Sequence, residues 1–550
     1  MLEPGSHLGY RVNIREIIIP MLSSFAVICA SLTNFLRFNH YPVLSPEVGI
    51  VALSLLSLTF FVSILYKNQR RLGKAILEGL LVFFVMDQNG AGAPYSALAA
   101  GAISAVALAK SISTLPFFGV AAVVTMAAGL IGIGKSAVGN PYPSGSGAYQ
   151  LNKPPPHNPP SALLHIILDE HIGIEGFPAN NPRSRIMKNI LKEFYLSHGF
   201  RLFGRAYSEH FHTVNSIPQI LNFGRSQTPG PTPTEGTVME KNAYFDLLRE
   251  RGYRIHVRQS EFIDYCRNAY TTTCHQYDSA RLATVASLPL SITDRAGLIG
   301  VRFFLLSKTA ETLGNIYSFA VYKIGARGVE MPSFGLPLAG QVSSVNALNA
   351  FDDLIEELEE AKPGNAYFAH ILLPHYPHAT TANCEVRNVS EWMLRRSKIA
   401  QNQREKAYFD QILCATQKLA AALQALERSP AHKDYVVIVH GDHGSRITGV
   451  EPIVENIDRI DDKDIIAGFS TLFAIHGGGI EPGYVYEPFA VPALLRDLSR
   501  HRFRVAPKPY KQALPMIYLD NGHWIPVRSH PLPERWRQDA LSQRTQNINQ

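Results

Sequence analysis

The chain has 550 residues, 46% of them hydrophobic, and is long enough to form more than one structural unit. Its formal net charge of +7 is spread thinly, and no block of lysines and arginines stands beside aromatic residues that could stack on bases. We therefore expect no nucleic-acid partner, and we assign the excess positive charge to loops beside a membrane and to an ordinary basic surface.

Five apolar segments predict that residues 1–138 form a transmembrane domain. They cover residues 17–36, 48–66, 75–86, 95–109 and 117–133, and most approach the ~20 residues that span the hydrocarbon of a bilayer. The third segment is short and contains Glu78, so four spans are the alternative. Repeated spans exclude a single cleaved signal peptide.

The positive charges around these segments predict an orientation. Arg11 and Arg15 precede the first segment, basic residues within 67–74 follow the second, and Lys110 follows the fourth. Cytoplasmic loops are rich in lysine and arginine, so the amino terminus is expected inside. With five spans, the remainder of the chain lies on the periplasmic or extracellular side of a bacterial inner (cytoplasmic) membrane.

The rest of the chain divides into three predicted regions. Residues 139–160 are rich in proline, glycine and serine, which neither continue a helix nor build a central strand, and they form a linker. Residues 161–500 form the predicted catalytic domain. Residues 501–550 form a C-terminal tail of unclear role, in which His523 is as compatible with a structural part as with a functional one.

Three apolar runs in the catalytic domain each end in residues that bind metals or protons. They are ALLHIILDEHIG, AYFAHILLPHYPH and DYVVIVHGDHG. Continuous apolar runs of this length are typical of parallel strands buried on both faces. Residues 346–361 and 405–428 show helical periodicity between them. The fold class is therefore α/β with a central, mostly parallel sheet, whose strand ends converge on one site.

Two of these strand ends supply candidate metal ligands. Asp169 and Glu170 follow the first strand and offer hard oxygen donors, although an acidic pair can also be a helix cap or a solvated turn. Asp442 and His443 follow the last strand and add a nitrogen donor. A mixed oxygen and nitrogen set favours zinc or manganese over calcium.

Hydroxyl and imidazole groups complete the candidate site. Thr213 and Ser216 in HFHTVNSIPQIL precede a helical run, where a metal-activated hydroxyl could act as a nucleophile and helix N–H groups could bind phosphate; the alternative is a plain N-terminal cap. His375 and His378 lie on a proline-containing loop. They could contact a substrate oxygen, protonate a leaving group or bind a second metal, or they could be structural.

Taken in order, ILDE, TVNSIP, LLPHYPH and HGDHG resemble the sulfatase-like branch of the alkaline phosphatase superfamily, over roughly residues 160–500. The five segments ahead of them look like the architecture of lipid A phosphoethanolamine transferases and lipoteichoic acid synthases. The resemblance implies that Glu170, Thr213, Asp442 and His443 hold the catalytic metal. It also suggests Asp169 as a further ligand, and it places His375 at the substrate.

The resemblance also implies a reaction. A phospho-head group of the phosphoethanolamine or glycerophosphate type would pass from a membrane phospholipid to an envelope glycan or lipid through a covalent intermediate on Thr213, with His375 and His378 assisting. The chain lacks a cysteine near Thr213, unlike the formylglycine sulfatases and the zinc transferases. An extracytoplasmic phosphodiesterase, phosphatase or sulfatase-like hydrolase on the same site is the alternative, and a non-catalytic sensor is a third hypothesis. The oligomeric state is not predicted.

The cysteines are compatible with a domain outside the cytoplasm. Cys29 lies in the first apolar segment, and four cysteines follow in the predicted catalytic domain. Cys266 and Cys274 are close enough for a local bridge, and Cys384 could pair with Cys414, although the sequence alone permits three pairings. Oxidation is allowed outside the cytoplasm, and four buried thiols are the alternative.

Overall fold

The computed structural model describes residues 14–88, 93–110, 116, 119–122, 161–178, 181–225, 237–239, 241–260, 262–266, 271–277, 282–305, 342–392, 401–447, 449–507, 515–521, 525–534 and 536. Most of the predicted fifth span, the linker at 139–160 and His523 lie outside these residues. The chain divides into two compact units. The first contains residues 1–141 and 281–339, and the second contains residues 142–280 and 340–550.

The helices of the described residues are α1 (Arg15–Phe38), α2 (Pro46–Lys67), α3 (Arg71–Gln88), α4 (Ala93–Lys110), α5 (Pro182–Ser197), α6 (Thr213–Leu221), α7 (Ala243–Glu250), α8 (Leu282–Ser287), α9 (Ile292–Leu305), α10 (Ser343–Glu359), α11 (Gln401–Arg428), α12 (Asp462–Phe469) and α13 (Val491–Arg500). The strands are β1 (Ala162–Leu168), β2 (Arg201–Tyr207), β3 (Thr237–Val238), β4 (Arg254–Ser260), β5 (Ile263–Asp264), β6 (Thr271–Tyr277), β7 (Asn365–Ile371), β8 (Tyr435–Gly441), β9 (Phe473–Gly477), β10 (Gly483–Ala490), β11 (Met516–Asp520) and β12 (Pro526–Pro531).

The first unit contains the apolar helices. Among the described residues, α1 with 24 residues and α2 with 22 are long and apolar enough to cross a membrane. Large apolar side chains such as Leu53, Phe61 and Leu65 on α2 are exposed, which is compatible with contact with lipid. The helices α3 and α4 occupy the third and fourth predicted segments, and α4 contains a shorter apolar stretch. The described residues thus support two of the five predicted spans.

Two further helices of this unit come from the middle of the chain. In α9, Arg295 lies 3.6 Å from Glu47 of α2, and Glu47 also accepts a hydrogen bond of 2.6 Å from Tyr41. Phe303 of α9 packs against Phe35 and Phe84, with ring centroids 5.5 and 5.7 Å apart. The predicted catalytic domain at 161–500 includes this segment, which in the structure groups with the first unit.

The second unit is built on an eight-stranded sheet with the order β10-β2-β9-β8-β1-β7-β4-β6. β9 runs antiparallel to β2 and β8, and the other neighbouring pairs are parallel. This arrangement confirms the predicted α/β fold class with a mostly parallel central sheet. It also confirms the three predicted strands, which are the central neighbours β8, β1 and β7.

The sheet is buried on both faces, which explains the continuous apolar runs in its strands. Every residue of β1 is buried. Leu164 and Ile166 contribute to a core that also contains residues of α5, α10 and α11, whereas Leu163 and Ile167 contribute to a second core with residues of α6, α7 and α13. Helices therefore cover both faces, as expected when parallel strands are joined by crossover helices.

The register of the central strands brings their carboxyl ends level. Leu168, the last residue of β1, pairs with Ile371 of β7 on one side and with Gly441 of β8 on the other. The residues that follow these three strands therefore leave the sheet side by side. The strand β2 runs in the same direction, so the loop from Tyr207 to α6 opens at the same edge.

Both suggested disulfides are present. Cys266 bonds to Cys274, and Cys384 bonds to Cys414. Cys29 is free and buried. Two bridges in the second unit agree with a domain that folds in an oxidising compartment.

Candidate metal centre

The structure brings the predicted metal ligands together at the carboxyl edge of the sheet. Asp169, Glu170 and His443 each offer one ligand atom, and these atoms lie within 4.8 Å of one another. Asp442 belongs to the same cluster, since its Oδ2 lies 3.3 Å from His443 Nε2 and its Oδ1 accepts a hydrogen bond of 3.0 Å from the backbone N–H of Glu170. These four residues are fully or almost fully buried.

The candidate nucleophile points into this cluster. The Thr213 hydroxyl lies 3.4 Å from Asp169 Oδ2 and 3.4 Å from His443 Nε2. Thr213 is the first residue of α6, and the N-cap position is taken by His212, whose side chain makes no capping hydrogen bond. The plain capping role that the sequence left open for Thr213 is therefore not the one observed.

The second hydroxyl is engaged elsewhere. Ser216 is fully buried, donates a hydrogen bond to the backbone carbonyl of Asp442, and pairs with Ser208 at 2.9 Å. These bonds join the first turn of α6 to the loop after β8. Ser216 therefore connects the nucleophile loop, residues 208–212 between β2 and α6, to the loop after β8 that carries Asp442 and His443.

The backbone is held in an unusual conformation where the ligands meet. Glu170 has φ of +63°, a value that costs a non-glycine residue roughly 1–3 kcal/mol and persists only where surrounding contacts hold it. Tyr408 fixes it from α11: its hydroxyl donates to the carbonyl of Glu170 at 2.6 Å and accepts from the N–H of Ile172 at 3.0 Å. In this backbone conformation the carboxylates of the adjacent residues Asp169 and Glu170 both point into one site.

The donor atoms fit a divalent cation. Asp169 Oδ1 and Asp442 Oδ2 are buried and have no hydrogen-bond partner among the described residues, although a buried carboxylate oxygen normally has one. His443 Nδ1 donates to the carbonyl of Gly444 at 2.8 Å, so in the neutral ring the lone pair is on Nε2, which faces the cluster. This is the tautomer that a metal-binding histidine needs. Carboxylates with one imidazole are a ligand set suited to zinc or manganese.

The charges around the cluster support the same conclusion. Burial and the neighbouring Asp442 raise the pKa of Asp169 above its usual range, as expected where carboxylates are gathered and a cation would relieve their repulsion. Burial also opposes ionisation of Glu170, but His375 and the Arg446 guanidinium outweigh it and lower the pKa of this carboxyl. Arg446 Nη1 lies 3.0 Å from Glu170 Oε1.

The two histidines of the proline loop lie near the cluster in different ways. His375 Nε2 is 3.6 Å from Glu170 Oε1, and its Nδ1 donates to the carbonyl of Tyr376 at 2.5 Å. His378 is buried with its ring against Tyr408, and burial lowers its pKa to about 4, so it is neutral. His375 is therefore placed to meet a substrate, and His378 lies against the side chain that fixes Glu170.

Two residues of the site were missed in the sequence. Arg446 lies three positions after His443 in the same loop and is almost fully buried, with Nη2 3.5 Å from His443 Nε2. His370, inside β7, donates to Asp169 Oδ2 at 3.1 Å and is fully buried. The motif HGDHGSR contained the signal for Arg446. A histidine within an apolar strand was the signal for His370.

No known protein-family profile matches the chain, and no curated protein sequence matches it either. Several solved structures are similar to it in fold. The C-terminal periplasmic domain of EcEptC from Escherichia coli, in complex with Zn, is 12% identical with a TM-score of 0.38, over 68% of this chain and 93% of that one. A sulfatase of the Bacteroides thetaiotaomicron locus for metabolism of multiple glycosaminoglycans is 11% identical with a TM-score of 0.38, over 68% and 84%.

The phosphonate monoester hydrolase of Agrobacterium radiobacter is 12% identical with a TM-score of 0.37, over 66% of this chain and 80% of that one. At such identities and TM-scores the likeness concerns the arrangement of sheet and helices alone. The reaction of this chain is inferred below from its own side chains.

Proposed function

We propose that this protein is a membrane-anchored, metal-dependent transferase that moves a phospho-head group from a membrane phospholipid to an envelope glycan or lipid. One observation carries the proposal. The Thr213 hydroxyl lies between Asp169 and His443, at the start of a helix and at the edge of a cluster of buried carboxylates. A hydroxyl in that position is suited to nucleophilic attack on phosphorus.

In the first transfer the head group passes from the lipid to Thr213. A zinc or manganese ion held by Asp169, Glu170, Asp442 and His443 would lower the pKa of the Thr213 hydroxyl and offset the charge of a phosphoryl group. Thr213 Oγ1 then gives its proton to solvent water and forms a bond to phosphorus. The bond from phosphorus to the lipid alcohol breaks, and the leaving oxygen takes up a proton.

Arg446 and His375 are placed to serve the phosphoryl group. The guanidinium of Arg446 reaches both Glu170 and His443, so its remaining N–H groups can bind a phosphoryl oxygen at the same site. His375 Nε2, 3.6 Å from Glu170, can hydrogen-bond a second phosphoryl oxygen or protonate the leaving alcohol. His378 is assigned a supporting position through Tyr408.

The second transfer regenerates Thr213. A hydroxyl of the envelope glycan or lipid attacks the phosphorus, forms the new ester and loses its proton, and Thr213 Oγ1 leaves and is protonated. The apolar helices α1 and α2 support a lipid donor, because an enzyme anchored beside a bilayer meets lipid head groups at high local concentration. The proposal places the catalytic unit on the periplasmic side, which follows from the inside amino terminus and the odd number of spans predicted from the sequence, since α1 and α2 alone would return the chain to the inside.

The second candidate is a hydrolase on the same site. The ligands Asp169, Glu170, Asp442 and His443 serve water as well as a sugar hydroxyl, because the metal centre acts on the phosphoryl group in both reactions. A phosphodiesterase or phosphatase would use water to release the group from Thr213. The choice between the two reactions therefore depends on which acceptor is used.

Transfer of a label separates the two candidates. The purified full chain is incorporated into vesicles that contain phospholipids labelled in the phosphate of the head group, and lipid A or a membrane glycolipid is added as acceptor. The transferase predicts label on the acceptor, and Thr213→Ala abolishes it. Label that appears only as a free phosphate ester, with or without acceptor, would identify the hydrolase. No release of label with zinc or manganese present would contradict both reactions on these lipids.

A further inference from the structure

A buried carboxylate from the C-terminal region lies beside the nucleophile loop. Asp520, the last residue of β11, is fully buried. Its Oδ2 accepts two hydrogen bonds, one of 2.7 Å from His212 Nδ1 and one of 3.1 Å from Asn215 Nδ2. The sequence assigned no role to residues 501–550, and Asp520 is separated from Thr213 by about 300 positions of the chain.

The two donors stand on either side of Thr213. His212 is the N-cap residue of α6, and Asn215 lies in the first turn. The carbonyl of His212 accepts from the N–H groups of Asn215 and Ser216 at 3.0 and 2.9 Å. A carboxylate that binds both the cap residue and the first turn fixes the start of the helix, where negative charge is also favoured by the helix dipole.

The hairpin that carries Asp520 is itself anchored to the nucleophile loop. The N–H of Tyr518 donates to the carbonyl of Glu209 at 2.8 Å, and the rings of Tyr518 and His210 stack with centroids 5.1 Å apart. Ile517 and Leu519 pack in one apolar cluster with residues that include Tyr207, Phe211 and Phe469. The antiparallel pair β11–β12 therefore packs directly against the loop between β2 and α6.

Asp520 does not touch the reacting groups directly. Among the contacts of the described residues, none joins its carboxylate to the Thr213 hydroxyl or to Asp169, Glu170 and His443. Its effect must pass through His212 and Asn215. A displacement of either residue would rotate the first turn of α6 and move the Thr213 hydroxyl relative to the cluster.

We propose that Asp520 is a positioning residue that holds the nucleophile Thr213 in line with the metal centre, and that the C-terminal hairpin is therefore a working part of the catalytic unit. The inference rests on the proposed function of Thr213. It predicts a loss in the rate of phosphoryl transfer to Thr213, with substrate binding and metal content retained. A side chain that keeps an acceptor oxygen in place should restore most of the rate.

The test compares Asp520→Ala with Asp520→Asn in the full chain. The carbonyl oxygen of asparagine can accept both bonds that Oδ2 accepts, whereas alanine can accept neither. We expect kcat to fall about 100-fold in Asp520→Ala, the loss typical of a misplaced reacting group, with KM changed less than about threefold. Asp520→Asn should stay within about tenfold of the unmodified protein.

Asn215→Ala provides a second route if Asp520→Ala does not fold. It removes one of the two donors and should lower kcat by roughly tenfold with KM little changed, and an unchanged kcat would count against the positioning role. Asp410→Ala is the matched control. It removes a carboxylate of α11 that pairs with Lys406 of the same helix and with Arg387 of the preceding segment, and it should change stability without changing kcat.

The outcomes separate this inference from the proposed function. Thr213→Ala is assayed beside the other variants. An inactive Thr213→Ala with a fully active Asp520→Ala would overturn the positioning role alone, as would an Asp520→Asn variant as slow as Asp520→Ala. An active Thr213→Ala would overturn the proposed function and the positioning role with it. Loss of bound zinc from Asp520→Ala, measured by elemental analysis, would show a structural role and would also overturn the inference.

Discussion

Replacement of Thr213 by valine should separate catalysis from folding. Valine has nearly the shape of threonine and lacks only the hydroxyl. That hydroxyl lies 3.4 Å from Asp169 Oδ2 and from His443 Nε2, which is long for hydrogen bonds of an O–H group, and it also interacts with Asp442. Its loss should cost the folded state on the order of 1 kcal/mol. In a unit as large as the second one the thermal midpoint should fall by only about 1–2 °C.

The effect on catalysis should be far larger. A chain without its covalent nucleophile keeps only binding and electrostatic stabilisation, so kcat should fall by at least about 10,000-fold, which corresponds to about 5 kcal/mol of barrier. Thr213→Ser keeps the hydroxyl and should retain kcat within about tenfold.

The assay follows release and transfer of the labelled head group by the full chain in vesicles, with metal content measured on the same samples. Thr416→Val serves as the matched control, since the Thr416 hydroxyl bonds to the Ile412 carbonyl within α11 and takes no part in the attack. If Thr213→Val kept more than about one tenth of the wild-type rate, Thr213 would not be the nucleophile. The mechanism would then need water as the attacking group.

Three further predictions concern the metal, pH and the disulfides. Glu170→Gln should weaken zinc or manganese binding by at least about 100-fold in equilibrium dialysis, which is more than the loss usual for a residue that only supports a metal ligand. The control Glu175→Gln, which loses its pairing with Lys188, should bind the metal normally. Equal binding by both variants would exclude Glu170 as a ligand. Burial lowers the pKa of His171 and of His440 to about 4. On acidification these histidines therefore take up protons in the unfolded chain before they do so in the folded chain. The free energy of unfolding of the metal-free protein should fall between about pH 6.5 and about pH 4, by up to about 3 kcal/mol for each histidine. The raised pKa of Asp169 increases the free energy of unfolding on acidification and so opposes this fall. A free energy from urea unfolding that stays constant or rises on acidification would contradict buried, neutral histidines. Replacing Cys384 and Cys414 by serine opens a loop with a sequence separation of 30 and should cost about 3–4 kcal/mol of stability under oxidising conditions, with no change once both proteins are reduced; equal oxidised stabilities would contradict a formed bridge.

The sequence was most informative where strands are buried on both faces. The runs that became β1, β7 and β8 are apolar at nearly every position because helices cover both sides of the sheet. Since parallel strands end at one edge, the polar residues after them could be predicted to meet. Asp169, Glu170 and His443 do meet, and Asp442 contacts Glu170 and His443. Thr213 was predictable from its motif and its place at a helix start.

The sequence was least informative where contacts join distant parts of the chain. Asp520 has no local pattern that marks it, because its partners His212 and Asn215 lie some 300 residues earlier. Arg446 could have been read as a surface residue until Glu170 was found 3.0 Å from its guanidinium. The grouping of α8 and α9 with the first unit rests on side-chain contacts such as Arg295 with Glu47, which no periodicity encodes.

The most direct test of the account is the mass of the peptide that contains Thr213, taken from protein purified out of membranes that hold its own lipids and no added acceptor. The account predicts an adduct on Thr213 whose mass identifies the phospho-head group, and its absence from Thr213→Val. The mass should return to that of the free peptide when an acceptor glycolipid is added. A peptide that stays unmodified in metal-loaded protein that still turns over the labelled lipid would contradict a covalent intermediate on Thr213.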